Sequence, residues 1–198
     1  MRPYHAGMDD PYAAIGDLSL ESMALLVDAV AAIAPEAWDQ PSNLAGWTIR
    51  DLVGHATGSA AKIVALLEGA EIWRGPSQPD DWITAEPEAD LRELSARMRN
   101  ALPGADFEAL RPSPGGEVPL RRALGFPVAD LALHSWDLRR SQGRLTELPD
   151  GILVLTRTLV GALPEDSLRR PGAFGPAQPA PGNATPTTAL MAFLGRSP

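Results

Sequence analysis

Apolar residues recur at intervals of three and four along this 198-residue chain, and no stretch shows the strict alternation of a half-buried strand. That period belongs to helices with one buried face. Leu20, Met23, Leu26, Val27, Val30 and Ile33 predict a first helix over about 19–34, with Ser19 as N-cap and Pro35 ending it. A second runs from Thr48 to about Ile72 on Leu52, Val53, Ile63, Val64, Leu66 and Leu67, with Asp51 as a short capping-box acid. Gly54, Ala56, Gly58, Ala60 and Ala61 leave part of its surface small enough for close helix packing. A third helix is expected near 87–102, and a fourth within 120–142 that bends at Gly125-Phe126-Pro127 and stops at Gly143. A fifth spans about 150–162, and a last short helix, 187–194, docks through Leu190, Met191, Phe193 and Leu194. Residues 103–119 and 171–186 read as loops, rich in Gly and Pro. The pattern predicts an all-α bundle in a single domain over 1–198, its core at about 17–163 and a C-terminal extension at about 164–198.

Composition narrows the chemistry. With no cysteine, disulfides, thiolate ligands and a protein thiol nucleophile are all excluded. Only His5, His55 and His134 are available for imidazole chemistry. A net charge of −8 lacks the basic footprint of a chain that holds nucleic acid or an anionic membrane surface. No apolar run approaches a membrane span and the N-terminal stretch has no signal-peptide core, so a cytoplasmic protein, monomer or homodimer, acting on a small molecule is expected.

The segment 128–138 is the most informative. Asp130 and His134, four apart on a helix, project from one face, while Leu131 and Leu138 turn that side inward. A carboxylate facing an apolar interior needs a partner or a metal. The pair alone reads as a metal-free hydrogen bond or as two ligands of one cation. His55, on the second helix, adds the third donor of an open, catalytic-type metal site. Asp137 is either an acceptor that orients an imidazole or a surface charge. Trp47 and Trp136 are expected as core anchors, and Arg50, Arg139 and Arg140 as a solvated face. His5 receives no role.

The phrases Asn-Leu-Ala-Gly-Trp-Thr-Ile-Arg-Asp-Leu-Val-Gly-His (43–55) and Leu-His-Ser-Trp-Asp-Leu (133–138) resemble the mycothiol-dependent maleylpyruvate isomerase N-terminal domain, of the DinB/YfiT-like metalloprotein superfamily. The ending 172–176 followed by 193–198 is similar to a short actinobacterial subgroup. The resemblance implies a DinB/YfiT-like four-helix bundle holding a divalent metal, zinc or else nickel. It places the ligands at His55, His134 and Asp130, where the isomerase carries a glutamate in the last position. It also implies an external thiol, mycothiol, in S-transfer or isomerisation of a small electrophile. The isomerase completes its site with a separate C-terminal domain, so its own reaction is not carried over. The competing readings are a non-catalytic or metal-free bundle that binds a small molecule or partner, and a cofactor-independent enzyme of specialised metabolism.

Overall fold

The computed structural model describes residues 10–73, 75–113, 116–169 and 173–197. His5 and Gly172 lie outside them.

Helix α1 (Ile15–Ala31) begins earlier than the apolar spacing predicts. Ser19 is not its cap but an interior residue whose hydroxyl donates back to the Ile15 carbonyl at 2.6 Å, which satisfies a buried polar group locally. Helix α2 (Ile49–Glu68) opens on a complete capping box. The Asp51 amide donates to the Thr48 hydroxyl at 3.1 Å, and the Asp51 carboxylate accepts from the Thr48 amide at 2.8 Å. It ends four residues before Ile72, because Gly69 turns left-handed (φ 71°) and caps it. Helix α3 (Pro87–Ala101) buries Leu91, Leu94 and Met98 and exposes its charged face, where Arg97 forks onto Glu68.

The expected loop 103–119 contains a small antiparallel hairpin, β1 (Leu110–Ser113) with β2 (Gly116–Pro119). Four-residue strands carrying Pro112 and Pro119 are too short to show a period. Arg111 reaches from the hairpin to the Leu66 carbonyl at 2.9 Å and ties it to the end of α2. The fourth helix divides into α4 (Leu120–Ala123) and α5 (Gly125–Ser141). Pro127 falls in the first turn of α5, where amides have no helical partner in any case.

Helices α1, α2, α3 and α5 form the bundle: α1 and α2 each pack against both α3 and α5. Trp136 and Leu131 of α5, Leu52 and Ile63 of α2, and Met23 and Leu26 of α1 meet at its centre. Helix α6 (Asp150–Gly161) lies against α5, followed by the short α7 (Glu165–Leu168) and by α8 (Pro186–Phe193), which packs on α6. Leu190, Met191 and Leu194 dock this last helix, but Phe193 faces outward at 41% exposure under the Arg169 guanidinium. Four apolar residues in a span of five cannot share one face of a helix. Among the described residues, no helix is long and apolar enough to cross a membrane.

Candidate metal centre

The bundle brings His55 of α2 and Asp130 and His134 of α5 to one point, with a potential ligand atom from each within 4.8 Å of the others. His55 Nε2 stands 3.3 Å from Asp130 Oδ2, and His134 Nε2 stands 3.2 Å from Asp130 Oδ1. The two rings meet edge to face with centroids 4.8 Å apart. The imidazoles are almost enclosed, 10% and 6% exposed, whereas the Asp130 side chain keeps 32% of its surface in solvent. The centre is therefore open on one side only.

What lies behind the rings decides which atoms face that point. His55 Nδ1 is 2.7 Å from the Ser77 carbonyl oxygen, which can only accept, so Nδ1 carries a proton. His134 Nδ1 is 3.1 Å from Asp137 Oδ2, again an acceptor. Each neutral ring thus turns an Nε2 lone pair towards a carboxylate, and three lone-pair donors converge on one point. Such a cluster requires a positive charge. A metal ion can supply it: donors about 2.0–2.2 Å from a tetrahedral cation stand about 3.3–3.6 Å apart, near the 3.3 and 3.2 Å by which the two rings reach the two carboxylate oxygens, with all three donors within 4.8 Å. A proton on His134 can supply it too. Burial disfavours the charged ring, but Asp130 and Asp137 outweigh burial and raise His134 to about 9. For Asp130, burial is likewise overridden by His134 and His55, which hold the carboxyl well below its ordinary value.

The surrounding residues have local causes. The loop that delivers the Ser77 carbonyl lies against the glycine face of α2: a Cβ on Gly58 would collide with the Ser77 side chain and come within 2.7 Å of Trp82 Cδ1. A Cβ on Gly54 would meet the Pro79 carbonyl oxygen at 2.7 Å. The small surface of α2 accepts this loop at its glycines, rather than a helix. Gly58→Ala should therefore displace the loop and take the acceptor from His55, destabilising the protein by about 1–3 kcal/mol. Urea denaturation measures that loss, and an unchanged midpoint would refute the packing argument.

Asp137 is fully buried and belongs to the site rather than to the surface. Besides His134 it accepts from Asn43 Nδ2 at 3.1 Å and from Arg196 Nη2 at 3.0 Å. Burial alone would raise its pKa, but Arg196 and His134 hold it at about 2. Ser59 donates to Asp130 Oδ2 at 2.6 Å and fixes that carboxylate from α2. Trp47 is half-buried, and its ring lies 5.0 Å from His55. Arg50 pairs with Asp39 at 2.8 Å, and Arg139 is half-buried with its Nε shielded from water. Arg50 thus sits on the solvated face in an exposed ion pair, whereas Arg139 is partly withdrawn from it. Sequence reasoning gave no role to Ser77, Ser59, Asn43 or Arg196. Asn43 opens the motif that ends at His55, which is a usable signal; Ser77 acts through its backbone and leaves none.

The model of the mycothiol maleylpyruvate isomerase N-terminal domain family matches residues 20–139, a span that carries all three converging side chains. The chain belongs to that family. Among solved structures, the crystal structure of the mycothiol-dependent maleylpyruvate isomerase is similar, at TM-score 0.60 and 21% identity over 81% of this chain and 72% of that one. A histidine-to-alanine mutant of the same enzyme matches at TM-score 0.60 and 20% identity, with the same coverage. No curated protein matches the chain. At these identities the likeness carries the fold: this member of the isomerase family has the all-α, DinB-like four-helix bundle.

Proposed function

We propose that the chain is a divalent-metal-dependent enzyme that uses an external low-molecular-weight thiol, mycothiol first, in S-transfer or isomerisation of a small electrophile. The observation that carries this reading is the convergence of His55 Nε2, His134 Nε2 and the Asp130 carboxylate, with both Nδ1 atoms engaged elsewhere. Membership of the family and the absence of cysteine support the thiol being external.

A divalent cation held there, zinc or else nickel, would supply Lewis-acid charge that favours the thiolate form of a bound thiol. The chain's own residues do the rest. Ser77 and Asp137 hold the two Nδ1–H groups and so aim each Nε2 at the site, and Ser59 holds Asp130 in place. Beside Asp130, Phe126, Leu133, Thr156, Leu159, Val160 and Phe174 line a small, mostly apolar crevice of about 20 Å³.

The second reading, a metal-free bundle, has one specific observation in its favour: a protonated His134 is satisfied on both nitrogens, by Asp130 and Asp137. Elemental analysis of protein purified without chelator or His-tag separates the two. About one equivalent of divalent metal per chain is expected, with the affinity of His55→Ala and His134→Ala reduced by more than about 100-fold. Protein that binds no divalent metal, with both variants indistinguishable from wild type, would overturn the proposal. Mass spectrometry with mycothiol and a panel of electrophiles then tests the thiol.

A further inference from the structure

We infer that Arg196, far from α5 in sequence, is a positioning residue of the metal centre that acts through Asp137 on His134. Its guanidinium forks onto the carboxylate, Nε to Oδ1 at 3.3 Å and Nη2 to Oδ2 at 3.0 Å. The same Oδ2 accepts from His134 Nδ1. Arg196 is 7% exposed and Asp137 not at all, so water does not substitute for either partner. With Asn43 on Oδ1, all four donors fix the plane of the carboxylate, and that plane fixes which His134 nitrogen carries the proton and where Nε2 points.

The backbone after α8 is shaped to deliver this one side chain. Gly195 closes the helix in the left-handed region (φ 83°), and a Cβ there would come within 2.7 Å of the Gly175 backbone. The Arg196 amide then donates to the Met191 carbonyl at 2.9 Å. Phe174 covers the guanidinium, its ring centre 5.4 Å from Cζ, and the same ring lines the crevice beside Asp130. A lone buried ion pair adds little to stability, because desolvation offsets its attraction. Orientation of a ligand is what a pair placed here contributes.

The inference rests on the metal-centre reading, so the experiment separates the two. Zinc affinity is measured by chelator competition for wild type, Arg196→Gln, Arg196→Lys and Leu194→Ala, each checked for folding by circular dichroism; cobalt(II) absorption reports ligand geometry. Arg196→Gln should bind zinc about 10–100-fold more weakly and shift the cobalt bands. Arg196→Lys, which keeps the charge but not the fork, should recover part of that loss. It also carries the comparison if Arg196→Gln does not fold. Leu194→Ala loosens the same helix end but keeps the Leu194 carbonyl that accepts from Arg196 Nη1 at 3.3 Å, and should bind zinc like wild type. If wild type binds zinc and the Arg196 variants match it, or Leu194→Ala weakens binding as much as they do, the inference fails alone. If wild type binds no divalent metal, the reading beneath it fails as well.

Discussion

Asp137→Ala is expected to destabilise the metal-free protein by about 3–5 kcal/mol, far more than loss of an exposed carboxylate would. The substitution leaves the Arg196 guanidinium buried without a counter-charge and removes the acceptor from His134 Nδ1. Asn43 loses its acceptor too. Pairing Asp137→Leu with Arg196→Met should recover much of the loss, since well-packed apolar residues can replace a buried ion pair. Recovery stays incomplete because the His134 Nδ1–H still lacks a partner, worth about 1–3 kcal/mol. Denaturant midpoints of Asp137→Ala and of the Asp137→Leu, Arg196→Met double variant against wild type give the comparison, and a loss below about 1 kcal/mol for Asp137→Ala would refute the argument.

The same groups set the pH window of the metal-free protein. Asp137 titrates near 2 in the fold against an ordinary 3.8, so its contribution is complete above 3.8 and is lost as pH falls towards 2. His134 runs the other way: raised from 6.5 to about 9, it contributes fully below 6.5 and loses that contribution as pH rises through 9. Maximum stability should fall between these limits, at about pH 4 to 6.5.

The bundle was legible because its signal is periodic. Met23, Leu26 and Val30 on α1 and Leu52, Ile63 and Leu66 on α2 follow a spacing that any helix must show, and all are buried. Helix ends were less legible. Ser19 looks like a cap in sequence, yet its hydroxyl is equally satisfied inside the helix by the Ile15 carbonyl. At the site, Asp130 and His134 were readable as an i, i+4 pair, and His55 joined them because so few histidines exist. Their supports were not readable. Ser77 contributes a carbonyl from a loop seated by Gly54 and Gly58, and Arg196 reaches Asp137 across 59 residues. Such contacts depend on tertiary docking, which leaves no period in the chain.

On the proposed reading, zinc binding should release about one proton at pH 7, and that proton comes from His134. In the metal-free protein this ring holds its proton up to about pH 9. Nδ1 keeps its hydrogen for Asp137, so the proton displaced is the one on Nε2, between His134 and Asp130. Two pH units below the titration point, competition weakens the apparent affinity by about 100-fold, and affinity should rise tenfold per unit between pH 6 and 8. Once free zinc exceeds the apparent Kd by about a thousandfold, the folded state gains about 4 kcal/mol, a rise in Tm that His134→Ala should abolish. Calorimetry in buffers of different ionisation enthalpy counts the proton directly. Binding with no proton release would mean that His134 does not ligate, and that its charge alone resolves the convergence of His55, Asp130 and His134.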